Sequence, residues 1–553
     1  MKDLSPSRNF KTGQSSNRQI LLSCIILAIT FIAAIAVRLY NIDAAKLYFN
    51  PTRQYYSFCI ARHFYFEGTD SVPAWQRNIA AINKEALDDK EPPVTEYLVS
   101  LIWRACGSEN HWAPSAVSSV FWLVGGVFVF LIAKKYTTVV AAAIATAFYL
   151  LCPFGIVMSR SFQPESLMTM MFGASIYTIF NYYEKPSTKR LFITALVSGL
   201  AVLVKVNIVF PIWCGFVAGG FYRQGFRKTF FSKQQLLFIL VGIMPGFIYY
   251  FYRTLTTEIM QMAVETIFVP QLLWDSFFWV GWLRQIGFVV GFVPIVAAVF
   301  GIFLVRAKTV KSILTGLVVG YLAYAVIFSY STPTQDYYHI QALPVAALAL
   351  SPAIAFFVNQ LTQKDSRVRL PAVIIFLLLL AVFLGALVSI KKSAFRSENK
   401  YSKFYLDSIY KSFGLKPEFL SQFGGDAADF IAKAEEIGDA VNHSERTITL
   451  GLTVPLWYYG QYAGHRWPLP QHWPFPDHIG SIGTGARWRE YRGLSAAELL
   501  EQHFSRFSPE YFVVGSLAEF EKQEGLKEFF YGRFRVLVKG KKHLIFDLTE
   551  PKQ

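Results

Sequence analysis

Acidic side chains beside hydrophobic stretches are the residues of this chain best suited to chemistry. Glu91 and Glu96 flank a Pro-Pro pair in the polar loop 41–113, and Glu165 opens a later hydrophobic stretch. A carboxylate in such a setting can act as a general base or bind a metal ion. Acids are also common at helix N-termini, where they interact favourably with the helix dipole. The sequence leaves both interpretations open, and we treat these three acids as the candidate catalytic residues.

Basic residues near the same stretches are candidates for binding an anion. Lys205 lies within the apolar segment 199–207, where an ionisable residue is costly. We predict that Lys205 binds a phosphate or carboxylate group; the alternative is a lysine that extends along the end of a span to the membrane surface. Arg53, Arg62 and Arg160 are further candidates for the same role.

A third group of candidates combines aromatic and polar side chains. The segment 336–339, Asp-Tyr-Tyr-His, directly precedes a hydrophobic stretch. Aromatic residues at such a position are typical of a membrane interface, but Asp and His are less expected there. We therefore treat Asp336, Tyr337 and His339, together with Tyr55 in the polar loop, as candidate substrate-binding residues.

Motifs for metals and nucleotides are missing from the sequence. The nine His residues show no HxxH or HxxxH spacing, and no Walker loop, GxGxxG or GxSxG element stands in a suitable context. No metal site is therefore predicted, although acids of the polar loop could hold a divalent ion. A mechanism driven by ATP or a nucleotide sugar inside the cell is disfavoured, because the cytoplasmic connections are too short for a nucleotide-binding domain.

The elements that must position these residues are membrane spans. Only 16% of the chain is charged and 53% is hydrophobic, whereas a soluble domain carries about 25% charged residues. Hydrophobic windows near the ~20-residue spanning length recur and predict roughly eleven transmembrane helices. These windows begin near Ile20, Ser115, Val139, Glu165, Leu191, Val206, Leu236, Gln285, Ser312, Ile340 and Leu370.

The charge distribution predicts the orientation of these spans. Lys and Arg cluster on alternate connections, while the short connections between them hold few basic residues. By the positive-inside rule, the N-terminus is cytoplasmic and, with an odd number of spans, the C-terminal tail is extracytoplasmic. The net charge of +16 is thereby explained by topology, and no nucleic-acid partner is predicted.

Three regions follow along the chain. Residues 1–18 form a cytoplasmic tail, 19–390 the transmembrane domain with its outer polar loop, and 391–553 a soluble α/β domain. Within the polar loop, the stretch 55–66 predicts an amphipathic helix lying in the membrane interface. In the last region we predict helices near 404–413 and 427–441, and strands near 447–452, 510–515, 534–538 and 543–548.

Five motifs in order resemble a known family. They are Asn-Pro-Thr-Arg-Gln-Tyr-Tyr followed by Ile-Ala-Arg in 50–62, Glu-Pro-Pro in 91–93, Ser-Arg and Pro-Glu in 159–165, Gly-Leu-Ala-Val-Leu-Val-Lys in 199–205, and Asp-Tyr-Tyr-His in 336–339 with Pro344. The chain resembles the polytopic GT-C glycosyltransferases, in particular the group of protein O-mannosyltransferases and the bacterial aminoarabinose transferase of lipid A.

The resemblance implies transfer of a sugar from a polyprenyl-phosphate donor on the outer face of a bacterial-type inner membrane. The acceptor would be a lipid, a polysaccharide or a protein. In this family a first-loop acid deprotonates the acceptor, and basic residues hold the phosphate of the donor. Lys205 is the best match for that basic role, with Arg53, Arg62 and Arg160 as alternatives.

One departure from the family pattern concerns the base. The chain has Thr52-Arg53-Gln54 where the family has its first-loop acid. Either another acid serves as base, namely Glu91, Glu96 or Glu165, or the site works differently, or the chain is a non-catalytic binding or assembly subunit of the same fold. Among the acids we favour Glu91 or Glu165. A transporter of lipid-linked sugars is a weaker alternative, because no inverted repeat is visible in the sequence.

Overall fold

A computed structural model describes residues 17–47, 49–67, 69, 71–87, 91–257, 260, 264, 267–362, 427–468 and 494–551. Most of this part of the chain is helical, and a small sheet forms near its C-terminal end. The helix predicted near 404–413, the span predicted near Leu370 and the boundary predicted at 390 lie outside the described residues.

Helices occur at the first ten predicted spans. They are α1 (Asn17–Leu39), α5 (Trp112–Ala133), α6 (Val139–Leu151) with α7 (Pro153–Ser159), α8 (Glu165–Glu184), α9 (Thr188–Val204), α10 (Val209–Gln224), α12 (Lys233–Gly242) with α13 (Met244–Thr256), α14 (Ser276–Val289) with α15 (Phe292–Leu304), α16 (Lys308–Ile327) and α17 (Ala342–Thr362). A short helix α11 (Phe226–Phe230) links α10 to α12.

Not all of these helices are long and apolar enough to cross a membrane alone. Four of the described helices are, namely α1, α5, α16 and α17, and the number rises to seven if each of three bent pairs forms one span. Helices α9 and α10 have 17 and 16 residues, which is below the ~20-residue spanning length. The figure of roughly eleven spans stays a prediction.

Two of the bends have a clear backbone cause. Pro153 opens α7, and the axis turns by 59° between α6 and α7, because proline has no N–H to continue the preceding helix. Gly291 separates α14 from α15 with a φ of +91°, a backbone angle that favours glycine, and the axis turns there by 88°. The first bend directs the chain into the segment that carries Arg160 and Glu165.

The polar loop folds into three helices: α2 (Pro51–Glu67), α3 (Ala74–Leu87) and α4 (Val94–Cys106). The helix predicted at 55–66 forms as part of α2. The prediction that it lies in the membrane interface is wrong. Tyr55, Phe58 and Ala61 are fully buried, and ten of the seventeen residues of α2 are buried, because α2 packs between α3, α4 and the C-terminal part of the chain.

The C-terminal unit, comprising described residues 427–468 and 494–551, contains a five-stranded sheet in the order β2-β1-β3-β5-β4. Its strands are β1 (Thr447–Leu450), β2 (Gly464–Arg466), β3 (Tyr511–Val514), β4 (Phe534–Lys539) and β5 (Leu544–Pro551). Strand β1 is parallel to β2 and β3, whereas β5 is antiparallel to β3 and β4. Its helices are α18 (Ala427–Ala440), α19 (Thr453–Gly460), α20 (Leu517–Lys522) and α21 (Leu526–Arg533), with a short helical stretch at 496–507.

The predicted α/β character of the tail is therefore present. Aromatic packing joins this unit to the polar loop: the ring of Tyr55 lies 5.2 Å from that of Tyr458, and Phe58 lies 5.3 Å from Tyr458. These residues belong to one apolar cluster that also contains Trp103 of α4 and Trp457 of α19. Helix α2 thus lies between the membrane helices and the C-terminal unit.

Candidate active site

Four charged residues from four separate elements meet beside α2. Arg53 lies in the first turn of α2, and Glu91 directly precedes the Pro-Pro pair that leads into α4. Glu165 is the first residue of α8, after the bend at α7. Lys205 ends α9 in an extended conformation, and a short 3₁₀ turn, Val206–Ile208, follows. Each residue thus stands where its element begins or ends.

These residues form a continuous charge network of Arg53, Glu91, Lys205 and Glu165. Arg53 Nη2 donates to both carboxylate oxygens of Glu91, at 2.9 and 3.0 Å. Lys205 Nζ lies 3.5 Å from Glu91 Oε1 and forms a direct ion pair with Glu165. Two cations thereby balance two carboxylates, which offsets the cost of removing all four charges from water.

Burial makes the network sensitive to the loss of any member. The side chains of Lys205 and Glu165 are 8% and 1% exposed, and those of Arg53 and Glu91 are 20% and 16% exposed. Burial by itself would lower the pKa of Arg53, but the carboxylates of Glu91 and Glu165 outweigh it and raise that pKa above its ordinary value. The guanidinium therefore stays charged.

The segment between α16 and α17 completes the surroundings of Lys205. Its Nζ lies 5.4 Å and 5.7 Å from the ring centres of Tyr337 and Tyr338, within the range of cation–π attraction. The backbone N–H of Tyr337 donates to Asp336 Oδ1 at 2.5 Å. Asp336 is buried, and this burial raises its pKa to about 7.

A small cavity of about 30 Å³ opens beside the network. It is lined by Arg53, Tyr56, Ser57, Ile60, Leu87, Glu91, Pro92, Pro93, Glu96 and Pro164. Glu96 accepts a hydrogen bond of 2.6 Å from Ser57 Oγ at its wall. The cavity has room for little more than a water molecule. A sugar substrate therefore requires the network or its walls to open.

The structure gives the other predicted basic residues different partners. Arg62 donates from Nε and Nη2 to the carboxylate of Glu109, and its guanidinium lies 3.6 Å from the ring centre of Tyr458. Arg160 is buried and donates to the backbone carbonyls of Tyr40 and Asn41. Arg62 thus helps to hold the C-terminal unit, and Arg160 helps to hold the turn after α1.

Two predicted substrate-binding residues are likewise engaged in structural contacts. Tyr55 shares a hydrogen bond of 2.5 Å between its hydroxyl and that of Tyr459. His339 Nε2 lies 2.8 Å from the carbonyl of Thr332, and its Nδ1 lies 2.7 Å from the hydroxyl of Tyr321. Both rings are therefore held by protein partners in this state of the chain.

Sequence reasoning did not select Tyr338 or Ser57, although both touch the site residues. Tyr338 is the neighbour of Tyr337 in the Asp-Tyr-Tyr-His segment. The position of that segment before a hydrophobic stretch, which led to Tyr337, applies equally to Tyr338. Ser57 lies one helical turn after Arg53, and this spacing places both on one side of α2. Nothing in the sequence showed that Ser57 would meet Glu96 across 39 residues.

The acids of the polar loop do not form a metal site in the described part of the chain. No group of three or more His, Cys, Asp or Glu side chains there is arranged to hold an ion. Glu91 and Glu165 instead bind the cations Arg53 and Lys205. The donor set does not fit a divalent metal, and we assign none to the site.

Part of the chain matches a known protein family. Residues 90–250 match the sequence profile of the family described as dolichyl-phosphate-mannose-protein mannosyltransferase. The matched segment contains three members of the charge network: Glu91, Glu165 and Lys205. A search of curated proteins finds no match.

Two solved structures, of one protein in two states, show the same fold. The chain is similar to ArnT from Cupriavidus metallidurans bound to undecaprenyl phosphate, with 14% identity, a TM-score of 0.54, and 94% of this chain and 97% of that chain covered. The apo state of ArnT gives a TM-score of 0.53 at the same identity and coverage. The oligosaccharyltransferase AglB from Archaeoglobus fulgidus, in complex with an inhibitory peptide and a dolichol-phosphate, has 9% identity, a TM-score of 0.49, and 96% and 74% coverage.

The profile match and the ArnT-like fold together confirm the resemblance to the GT-C glycosyltransferases. With the apolar helices, they also identify the chain as an integral membrane protein.

Proposed function

We propose that this protein transfers a sugar from a polyprenyl-phosphate donor to an acceptor on the outer face of the membrane. The observation that carries the proposal is the buried network of Arg53, Glu91, Lys205 and Glu165 beside a cavity. Support for the donor class comes from the structure of ArnT, which binds undecaprenyl phosphate. The positive-inside pattern supports a cytoplasmic N-terminus and an extracytoplasmic C-terminal unit.

The network suits a phosphate because Glu91 already occupies the place that a phosphate would take. A carboxylate and a phosphate are both recognised by the fork of an arginine guanidinium, and both pair with lysine. The donor phosphate would replace Glu91 on Arg53 and Lys205, while Glu165 continues to hold Lys205. Donor binding would then keep both cations paired and would leave the Glu91 carboxylate without them.

The same exchange supplies a base. Once displaced from Arg53, the Glu91 carboxylate is no longer neutralised and still lies at the wall of the cavity. It accepts the proton of the acceptor hydroxyl as the acceptor oxygen bonds to the anomeric carbon of the donor sugar. The bond between that carbon and the phosphate oxygen breaks, and polyprenyl phosphate leaves with its charge held by Arg53 and Lys205.

Two other acids are weaker candidates for the base. Glu165 is 1% exposed and paired with Lys205, so it has less access to an acceptor. Glu96 lines the cavity but already accepts a hydrogen bond from Ser57. We assign Glu165 to positioning Lys205, and Glu96 to shaping the wall of the cavity.

The test is sugar transfer by the purified protein in lipid nanodiscs, with a panel of polyprenyl-phosphate sugars as donors. Release of polyprenyl phosphate is measured for the wild type and for Glu91→Gln, Glu165→Gln and Lys205→Ala. Lys135→Ala is the matched control, since Lys135 forms an exposed ion pair with Glu184 away from the cavity. Donor-dependent release that is lost in Glu91→Gln and Lys205→Ala, but kept in the control, supports the proposal.

A non-catalytic subunit of the same fold is the second candidate. It is favoured by Thr52-Arg53-Gln54 in place of the first-loop acid and by the small volume of the cavity. Donor binding without turnover for every donor in the panel would establish this candidate and contradict the enzyme.

A further inference from the structure

A second and larger cleft opens between the polar loop and the C-terminal unit. Its volume is about 370 Å³, within the ~300–1,000 Å³ range of small-molecule sites. It is lined by Arg62, Tyr65, Glu109, Asn110, His111, Glu435, Tyr458, Tyr459 and Gln461. We call it the C-terminal cleft.

The C-terminal cleft and the small cavity lie on opposite sides of α2. Arg53 and Ser57 face the small cavity, whereas Arg62 and Tyr65 face the cleft. Arg62 follows Arg53 by nine residues, which is about two and a half helical turns and places the two side chains on opposite faces. The same nine residues separate them by about 14 Å along the helix axis. The cleft is therefore a separate site.

The walls of the cleft are held in place by their own contacts. The hydroxyl of Tyr458 donates to Glu109 at 2.5 Å, and the same carboxylate binds Arg62. The hydroxyl of Tyr459 lies 3.2 Å from His111 Nε2. These contacts fix two aromatic rings and a carboxylate in the cleft before any ligand arrives, which reduces the ordering cost of binding.

Several polar groups line the cleft. Glu435 of α18 is exposed there. Asn110 and Gln461 add amide groups, which also hydrogen-bond within the protein: Asn110 Oδ1 accepts from the backbone N–H of Ala113, and Gln461 Oε1 accepts from Gln76 Nε2. Nδ1 of His111 is buried and has no hydrogen-bond partner in the described part of the chain. Burial lowers the pKa of His111 to about 4, so the ring is neutral near pH 7.

We infer that the C-terminal cleft binds a saccharide unit of the acceptor. A sugar presents many hydroxyl groups, which suit the carboxylates, amides and imidazole, and an apolar ring face, which suits the tyrosines. A phosphate is disfavoured because the lining carries two carboxylates, Glu109 and Glu435, against one cation, Arg62. The assignment to the acceptor rests on the proposed function.

The separation from the charge network defines the role of the bound unit. A sugar in the cleft lies on the far side of α2, so it cannot be the unit that reacts at Glu91. It would instead anchor a longer acceptor glycan whose reacting end reaches the small cavity. Shorter acceptors would then react with a higher KM but a similar kcat.

The experiment measures binding of soluble trisaccharides to the full-length protein in nanodiscs by saturation-transfer NMR and calorimetry. The probes are maltotriose, mannotriose and chitotriose. We expect at least one to bind, and the double variant Glu435→Ala/Tyr459→Phe to weaken its binding about tenfold or more. Glu436→Ala is the matched control, because Glu436 neighbours Glu435 on α18 but does not line the cleft.

Each outcome bears on the cleft separately from catalysis. Glu91→Gln should bind the trisaccharide as the wild type does, since Glu91 lies across α2. Saccharide binding without turnover by the wild type would overturn the proposed function but leave the saccharide site in place. Failure of all three probes to bind, or equal binding by the double variant and the control, would overturn the site.

Discussion

Arg53 and Glu91 stand 38 residues apart in the chain, yet one guanidinium nitrogen of Arg53 donates to both carboxylate oxygens of Glu91, at 2.9 and 3.0 Å. The pair joins the start of α2 to the entry of α4 and closes the wall of the small cavity. A group that binds Arg53 in place of Glu91 would free a carboxylate at that wall. In the proposed function, this relationship would connect donor binding to the supply of a base.

Arg53→Lys tests whether the arginine fork is needed. Lysine keeps the charge but cannot form two parallel hydrogen bonds with a phosphate, so we expect donor-dependent turnover to fall about tenfold to a hundredfold. The measurement is kcat/KM for the donor in nanodiscs. Arg446→Lys is the matched control, since Arg446 forms a partly exposed pair with Glu510 in the C-terminal unit. Equal turnover in both variants would show that the fork has no role.

Lys205 and Glu165 should be coupled in stability. Loss of Lys205 leaves the buried Glu165 carboxylate without this cation, and loss of Glu165 leaves Lys205 with Glu91 alone. Breaking a buried pair costs about 3–5 kcal/mol, whereas removal of both charges is far less costly. We therefore expect Lys205→Met and Glu165→Gln each to lower the Tm strongly, and the double variant to recover much of the loss. Thermal unfolding in detergent measures all three. Additive losses in the double variant would contradict a direct pair.

Asp336 should make stability depend on pH. Its pKa rises from 3.8 to about 7 on burial, so the folded chain holds this proton more tightly than the unfolded chain. The stabilisation of the folded chain by protonated Asp336 is fully present below about pH 4. It is lost as the pH rises to about 7, and it stays lost above that.

Asp336→Asn cannot ionise and removes this dependence. We expect the Tm of the variant, relative to wild type, to be higher at about pH 8 than at about pH 5. Asp439→Asn is the control, because the side chain of Asp439 is 80% exposed. A Tm difference that is the same at both pH values would show that Asp336 does not titrate in this range.

Arg62 should hold the C-terminal unit on the polar loop. It pairs with Glu109 and lies against Tyr458 of α19, so Arg62→Ala removes an ion pair and a ring contact together. We expect faster amide hydrogen exchange in α19, with no change in α16, because the loss is local to this contact. Exchange measured by mass spectrometry reports both helices. Unchanged exchange in α19 would show that the aromatic cluster alone holds the unit.

The positions of the helices and strands followed from local patterns. Runs of apolar residues mark the helices at the first ten predicted spans, and the predictions near 447–452 and 534–538 correspond to β1 and β4. These features depend on side chains that are neighbours in sequence, and hydrophobic periodicity reports them directly. The burial of α2 could not be predicted from local patterns, because the residues that cover it belong to α4 and α19, which are distant in the chain.

The sequence by itself identified the candidate site residues Glu91, Glu165, Lys205 and Arg53, because charges beside apolar segments are costly. Only the tertiary structure decided that these four form one network, and that Arg62 and Tyr55 instead face the C-terminal unit. The physical reason is that an ion pair depends on a distance of a few ångströms in space. Separations of 38 and 40 residues along the chain carry no information about that distance.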